Sequence, residues 1–314
     1  MSKKIIFFGT PPFAVKCLEK IAEEEFNIVA VVTAPDRPAG RGRQIKTSAV
    51  KQFAEAQNIH ILQPTNLKDL QFIEQLKALE PDLMIVVAFR MLPKRVWSIP
   101  SLGTFNLHAS LLPDYRGAAP INWVIINQEK YSGVTSFFIN EEIDTGAILL
   151  QEKVEIEEQE TAGSLHDKLA KKGSALICKT IKGILEGTIN PQKQEIKGTE
   201  KAAAKLNKEN VFIDWDQPLE AIQAKIKGLS PYPGARFNWI EENKTAVIKI
   251  FEAEIVKENH PFEPKQVIIE DKTIRVAHPT GFINCKVLQF PNKKKMSVID
   301  LLNGSSFSNK VEVS

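Results

Sequence analysis

The feature that most constrains this chain is an alternation that runs through its first 187 residues. Short apolar, largely β-branched or aromatic runs take turns with longer segments whose apolar residues recur at three- and four-residue spacing. Lys3–Phe8, Asn27–Thr33, His60–Leu62, Asp82–Ala88, Thr104–Ala109 and Val134–Ile139 read as strands. Phe13–Glu24, Ser48–Gln57, Leu67–Leu79 and the long Thr161–Leu185 read as helices, with Ala14, Cys17, Leu18 and Ile21 marking one helical face. The strands are close to continuously apolar, which is the pattern of strands covered on both faces. Strands and helices in this order build a largely parallel sheet between two helical layers. The expectation is an α/β domain from Lys3 to about Gly187.

The texture changes near residue 190. Gln192–Glu209 is polar, with lysines at 193, 197, 201, 205 and 208, and reads as a linker that is at most partly helical. A helix there would gather the first four lysines into one cationic stripe; otherwise they are a solvated basic segment. Pro218–Gly228 reads as a helix. After Pro231-Tyr232-Pro233-Gly234 come short strand-like runs at Ala235–Trp239, Thr245–Val256, Gln266–Ile269, Thr273–Ala277 and Phe282–Phe290. Met296–Leu302 reads as a helix closed by Asn303-Gly304. Several short strands with turn signals imply a small β barrel. The chain of 314 residues is thus expected to hold two domains.

Composition narrows the function classes. Hydrophobic residues make up 43% and charged residues 25%, ordinary globular values that exclude a disordered or collagenous chain. Runs such as Leu83–Phe89 are too short to span a bilayer, and the N-terminus lacks a leader-like layout. Cys17, Cys178 and Cys285 lie far apart with no metal spacing, so no metal is expected and a reducing cytoplasm is the default. The net charge of +3 does not by itself announce nucleic acid. There is no G-x-G-x-x-G and no P-loop. Gly9-Thr10-Pro11-Pro12 resembles a phosphate loop only loosely and reads more simply as a tight strand-to-helix turn.

Gly103–Ala109 carries the chemistry. Period two puts Phe105 and Leu107 on one face and Asn106 and His108 on the other, at a strand's C-terminal end. That end is where open α/β sheets bind ligands. An amide and an imidazole side by side can stabilise a developing oxyanion, although backbone partners could equally satisfy them. Asp144, in Ile143-Asp144-Thr145-Gly146 after the next strand, is placed to orient the His108 ring; a plain turn Asp beside Gly is the alternative. Asp-Thr-Gly does not mark an aspartic protease, which needs a second carboxylate beside the first. Pro35–Lys46 puts Arg37, Arg41, Arg43 and Lys46 among glycines and prolines that are expected to keep it out of helix and sheet. It is either a solvated loop or a phosphate-backbone contact, for which arginine forks and close-approaching glycines are suited.

The run Asn106-Leu107-His108-Ala109-Ser110-Leu111-Leu112-Pro113-Asp114-Tyr115-Arg116-Gly117-Ala118-Ala119-Pro120-Ile121 resembles the signature of the folate-dependent formyltransferases, and Asp144-Thr145-Gly146 completes that family's Asn/His/Asp set. Three further features are similar to the members that act on methionyl-tRNA: the Pro35–Arg43 loop, Ile213-Asp214-Trp215, and Lys293 through Gly304. The resemblance spans nearly the whole chain. It implies a Rossmann-like catalytic domain (1–189), a basic linker (190–208) and an OB-like tRNA-binding barrel (209–314). It implies transfer of a formyl group from the co-substrate 10-formyltetrahydrofolate to the α-amino group of methionyl-initiator tRNA. Asn106, His108 and Asp144 would be catalytic, Ser110, Leu111, Leu112 and Pro113 would contact the folate, and Arg37, Arg41, Arg43 and Lys46 would contact tRNA. A cytoplasmic monomer with no DNA or membrane partner is expected. Two departures stand out. Ala88-Phe89-Arg90-Met91-Leu92, beside the folate pocket, lacks the family's glycine and is one residue shorter; Ala109 replaces a common glycine. Arg116 stays outside the catalytic set. The rival readings are a formyltransferase for a sugar nucleotide or a purine intermediate, an RNA-binding module without catalysis, and a structural α/β protein.

Overall fold

The computed structural model describes residues 2–39, 44–242, 244–308 and 310–314, with only the backbone of Ala39 and Gln44. In chain order the elements are β1 (Ile5–Gly9), α1 (Pro12–Glu23), β2 (Ile28–Val32), β3 (Arg37–Ala39), β4 (Gln44–Lys46), α2 (Ala49–Ala56), β5 (Ile61–Leu62), α3 (Leu70–Ala78), β6 (Leu83–Val87), α4 (Lys94–Trp97), β7 (Thr104–His108), β8 (Arg116–Gly117), α5 (Pro120–Ile126), β9 (Tyr131–Phe138), β10 (Ile148–Glu155), α6 (Ala162–Glu186) and β11 (Ala202–Ala203). There follow α7 (Leu219–Leu229), β12 (Ala235–Glu241), β13 (Lys244–Val256), β14 (Val267–Glu270), β15 (Thr273–His278), β16 (Gly281–Gln289), β17 (Met296–Ser297), α8 (Val298–Asn303) and β18 (Val311–Val313). They divide into two units. The first holds Met1–Gly117, Ser132–Glu155 and His166–Ala202; the second holds Ala118–Tyr131, Ile156–Leu165 and Ala203–Ser314.

The first unit is built on a seven-stranded sheet in the order β10-β9-β7-β6-β1-β2-β5. The pairs β1–β2, β1–β6, β6–β7 and β2–β5 are parallel, and β9 runs antiparallel to β7. The expected α/β architecture is present, with an antiparallel margin that the strand pattern alone did not indicate. Ile5 through Phe8 are fully buried, as a central strand covered on both faces must be. Alternate residues divide between the two faces. Ile6 and Phe8 pack with Ala30, Val32, Met84 and Val86 against Phe72, Ile73 and Leu76 of α3. Helix starts follow the local chemistry: the Ser48 side chain accepts from the Lys51 amide to open α2, and Asp69 accepts from Gln71 to open α3.

Two expectations change here. Pro35–Lys46 is not free of sheet: β3 and β4 pair antiparallel, with Arg37 opposite Lys46 and Pro38 opposite Ile45. An isolated two-stranded ribbon tolerates Pro38, because no inner ladder needs its missing N–H. The 190–208 stretch forms no helix, so its lysines make no helical stripe. Its buried polar side chain, Gln194, is committed to the first unit.

The second unit contains an antiparallel, nearly closed barrel in the order β14-β15-β16-β13-β12-β18, with β17 added on β16. A bridge between Gln266 and Glu312, together with the Val313 amide on the Lys265 carbonyl (3.0 Å), joins the two ends of that sheet. Trp215, Phe237, Trp239, Ile248, Ile250 and Ile274 fill it. Trp215 meets Phe237 edge-on at 5.5 Å. Met296–Leu302 is not wholly helical: Met296-Ser297 pairs with β16, and Ser297 then caps α8 by accepting from the Asp300 amide.

Asp82 ties the start of β6 to the start of β1. Its carboxylate accepts from Lys3 Nζ (2.9 Å) and from the Lys4 amide (2.8 Å). The Lys3 bond first, then the Lys4 amide, hold its pKa below the ordinary range. A carboxyl lowered in the folded state stabilises the fold above its unfolded value of about 3.9, and this is lost as pH falls through the folded value. Asp82→Asn is therefore expected to lower the urea midpoint at pH 7, with the gap from the parent protein closing as pH falls below about 3.9. A gap independent of pH would assign the effect to packing.

Candidate functional site

The site lies where the parallel strands β6 and β7 end, with the middle of the antiparallel β9 passing beside the end of β7. Parallel pairing puts Val86 beside Asn106, and antiparallel pairing puts Phe137 beside Asn106 and Thr135 beside His108. His108 is 7% exposed. Its Nε2 lies 2.8 Å from the Tyr115 carbonyl. A carbonyl only accepts, so Nε2 carries the proton and the neutral ring leaves Nδ1 bare. Nδ1 faces Asp144 Oδ2 at 3.8 Å, too long for a hydrogen bond but close enough for the carboxylate to attract positive charge on the ring. Asp144 is held in turn by the Gly117 amide, which donates to Oδ2 at 2.9 Å. Asn106 is half-buried, and among the described residues nothing hydrogen-bonds its carboxamide. The structure therefore brings Asn106, His108 and Asp144 to one place, with one amide and one imidazole nitrogen uncommitted.

The turn that delivers Asp144 is exacting. Asp144 has φ 55°, the left-handed region that Asp tolerates better than most residues. A Cβ on Gly146 would meet the Phe138 carbonyl oxygen at 1.6 Å, so only glycine lets the turn pass the end of β9 this closely. Ala109 needs no such freedom: among the described residues it is not in the positive-φ set, and its methyl costs nothing there. Ala88, one residue past β6, does stand at φ 47°. The segment that follows β6 is thus locally strained at its first residue.

Ser110, Leu111, Leu112 and Pro113 form the turn after β7. Ser110 and Leu112 are buried and Leu111 and Pro113 half-buried. The Ser110 hydroxyl donates to the Asp114 carbonyl at 2.6 Å. Thr135 donates to the Ser110 carbonyl at 2.6 Å and accepts from the Leu112 amide at 3.3 Å. Gln151 donates to the Leu112 carbonyl at 3.0 Å and to Thr135 at 2.9 Å. The polar groups of this turn thus rigidify the backbone beside His108.

Sequence reasoning missed Thr135, Gln151 and, above all, Gln194. Gln194 is 6% exposed. Its Nε2 donates to the Asp144 carbonyl (2.9 Å) and the Gly146 carbonyl (2.8 Å), and its Oε1 accepts from Arg116 Nε (3.2 Å). Arg116 is thereby placed as a support of the Asp144 turn. Thr135 had a signal, a polar residue inside an apolar strand. Gln194, in a polar stretch, had none.

The basic hairpin has a defined root. Asp36 accepts from Lys51 Nζ (2.5 Å) and Gln63 Nε2 (2.9 Å), and the Lys51 bond first, then Gln63, hold its pKa below the usual range. Arg37 and Lys46 stand on opposed strands above it. Arg41 and Arg43 lie outside the described residues. Among the described residues no group of His, Cys, Asp and Glu could hold a metal. Burial pushes the Cys178 thiol up to about 11 and that of Cys285 to about 12, which disfavours thiolate chemistry at both.

Comparison with known proteins settles the family. The formyl transferase model matches residues 3–181, and the formyl transferase C-terminal domain model matches residues 205–306. The methionyl-tRNA formyltransferase of Flavobacterium johnsoniae is 52% identical over 310 residues, covering 99% of this chain and 98% of that protein. This chain belongs to the methionyl-tRNA formyltransferase family. The Bacteroides fragilis member is 46% identical over 96% of this chain and 94% of its own. An N-formyltransferase of Helicobacter canadensis, solved with folinic acid and dTDP-3-aminofucose, shares the fold with TM-score 0.66 at 22% identity, covering 91% of this chain and 98% of that one. The chain is an enzyme of the formyltransferase class, and rivals without catalysis fall away.

Gln194→Leu leaves two turn carbonyls and the Arg116 guanidinium without their partner. It is expected to lower kcat by about 10- to 100-fold through misplacement of Asp144, with KM for the acceptor nearly unchanged. Gln194→Glu keeps an acceptor for Arg116 but loses the donor, and it should fall as far. Full activity in Gln194→Glu would show that the Arg116 contact, not the hold on the turn, matters.

Proposed function

We propose that this chain transfers the formyl group of 10-formyltetrahydrofolate to the α-amino group of methionine on initiator tRNA, with Asn106, His108 and Asp144 at the reacting centre. The observation that carries this reading is the His108 ring, with Nε2 bonded to the Tyr115 carbonyl and Nδ1 turned toward Asp144, in a chain about half identical to methionyl-tRNA formyltransferases over its full length.

In this reading the neutral amine attacks the formyl carbon. A free α-amino group has a pKa of about 7.7–8.0, so a useful fraction is unprotonated near neutrality. The carbon–nitrogen bond forms as the carbonyl π electrons move to oxygen, and the Asn106 amide donates to that oxygen. His108 Nδ1 takes the proton from the attacking nitrogen, and Asp144 attracts the positive ring. The proton then passes to folate N10 as its bond to the formyl carbon breaks, leaving tetrahydrofolate and formylated aminoacyl-tRNA. His108 here acts as a proton relay; its Nε2 proton is engaged by the backbone.

Residues 1–189 are the catalytic domain in this scheme, 190–208 the basic connection and 209–314 the tRNA-binding domain. Ser110–Pro113 form the folate-side wall through backbone and packing. Arg37, Arg41, Arg43 and Lys46 meet the tRNA backbone, an electrostatic contact that weakens with salt. In this reading the enzyme is a cytoplasmic monomer that engages neither DNA nor membrane. No helix among the described residues is long and apolar enough to cross a membrane.

The direct test supplies methionyl-initiator tRNA and 10-formyltetrahydrofolate and detects N-formylmethionine after ester hydrolysis. Asn106→Ala should lower turnover by 10²–10³, about 2.7–4 kcal/mol, with tRNA affinity unchanged. Loss of binding with intact turnover would remove Asn106 from the chemistry. Arg41→Ala should weaken use of methionyl-tRNA more than use of a small amine acceptor; equal loss on both would place Arg41 at the reaction instead of the recognition surface.

A further inference from the structure

The loop that orients His108 is fastened to a segment that the sequence presents only as a linker. Tyr115 gives its carbonyl to His108 Nε2 at 2.8 Å, so the place of that one carbonyl decides which imidazole nitrogen carries the proton. Tyr115 itself stands at φ 59°. A bulky residue keeps such a conformation only where its surroundings enforce it.

The enforcement comes from Lys201. Its carbonyl accepts from the Tyr115 amide (2.5 Å), and its own amide donates to Asp114 Oδ1 (3.0 Å). Lys201 thus commits both of its backbone polar groups to two successive residues of the loop, and the pairing continues as the short ribbon of β8 with β11. Asp114 is exposed, so its side chain fills no core, and its carboxylate is engaged by the Lys201 amide. Ser110 holds the same residue from within the loop, donating to the Asp114 carbonyl at 2.6 Å. The other end of the linker segment is tied down as well, because Gln194 holds the Asp144 turn. Between the two, Gly198 turns the chain at φ 78°, and Glu200 closes that turn by accepting from the Lys197 and Gly198 amides. Residues 194–201 therefore reach from the turn that carries Asp144 to the carbonyl that sets the tautomer, and they brace both partners of His108.

We infer that Asp114 is a positioning residue for formyl transfer: by clamping the Lys201 amide it holds the Tyr115 carbonyl on His108 Nε2 and keeps Nδ1 as the bare nitrogen that faces Asp144. The inference rests on the functional reading above for the reaction it serves. Without the Asp114 side chain the strained Tyr115 is held by fewer bonds, and the loop visits positions in which its carbonyl leaves the ring. A proton relay whose proton sits on the wrong nitrogen part of the time turns over more slowly, while substrate binding is intact.

The test pairs kinetics with nitrogen NMR of labelled histidine rings on the full chain. In the parent protein the His108 ring should show a single neutral tautomer protonated at Nε2, assigned by its absence from the spectrum of His108→Asn. His260, whose Nε2 stands 2.8 Å from the His278 carbonyl, supplies a reference signal that should not move. Asp114→Ala should give mixed tautomers or a fast-exchanging Nε2 proton at His108, and lower kcat about three- to tenfold with KM for methionyl-tRNA unmoved. Asp114→Asn keeps an oxygen for the Lys201 amide and should restore most of both readouts. An Asp114→Ala protein with the parent's His108 signal, or one whose loss falls on KM alone, overturns the inference. So does an Asp114→Asn protein as slow as Asp114→Ala. The NMR arm needs no substrate. A parent protein that forms no N-formylmethionine, while its His108 signal still responds to Asp114→Ala, overturns the reaction assigned above and leaves the hold of Asp114 on His108 standing.

Discussion

The hydrogen bond from His108 Nε2 to the Tyr115 carbonyl is the interaction on which the rest of the site depends. It joins the last residue of a buried strand to the middle of the loop that follows, at 2.8 Å. Because the acceptor is a carbonyl, it selects one tautomer and turns the basic nitrogen toward Asp144. It also folds the 109–117 loop back over the strand end, which brings the Gly117 amide to Asp144 Oδ2. One bond thus sets the protonation pattern of the imidazole and, through the loop, helps fix the carboxylate opposite it. Replacing that carbonyl by water would leave the ring free to rotate and both nitrogens exposed to exchange.

A bond of this kind is useful only if the loop itself cannot drift. Thr135 and Gln151, from the antiparallel strands β9 and β10, bind the loop's backbone on one side. Gln194, itself held by Arg116, binds the Asp144 turn on the other. The antiparallel margin of the sheet therefore has a chemical role. A parallel neighbour would present its strand end at the same edge, whereas β9 passes Thr135 beside His108 before delivering the Asp144 turn. Buried polar networks of this kind are favourable only when every member is satisfied, and the Gln194 amide uses both its donor and its acceptor.

How much of this was legible in the sequence follows from the range of the forces involved. The strands and helices of the first unit are local in origin, and Ile5–Phe8 or the face of α1 announce themselves by periodicity. Asn106 and His108 were found because period two put them together, and Asp144 because its turn chemistry and the family motif coincide. The β3–β4 hairpin was not, because Gly and Pro argue against strand locally while an isolated ribbon relaxes that rule. The closing strand Val311–Val313 is too short for alternation to register, and its pairing with Trp239 and its neighbours is remote in sequence. Gln194 lies 50 residues from Asp144, and nothing near it distinguishes it from a solvated linker glutamine. Its role exists only once the chain has folded back.

The hairpin follows the same logic of a firm base beneath a less constrained end. Asp36, Lys51 and Gln63 form a neutral, hydrogen-bonded root, and Asp36 stays ionised there well below neutral pH. Directly beyond it Arg37 and Lys46 oppose each other across the two strands. Like charges in that position weaken a ribbon, and a sequence selected for stability alone would alternate their signs. The arrangement is sensible where an anion is present to relieve the repulsion, which a polyphosphate backbone does along its whole length. The repulsion is thus a cost that an anion placed there would relieve, and the firm root lets the strands carry it. The paired carboxylate at the base and the two cations above it, which meet no carboxylate among the described residues, are two parts of one device, stable at its root and electrostatically unsatisfied in its arms.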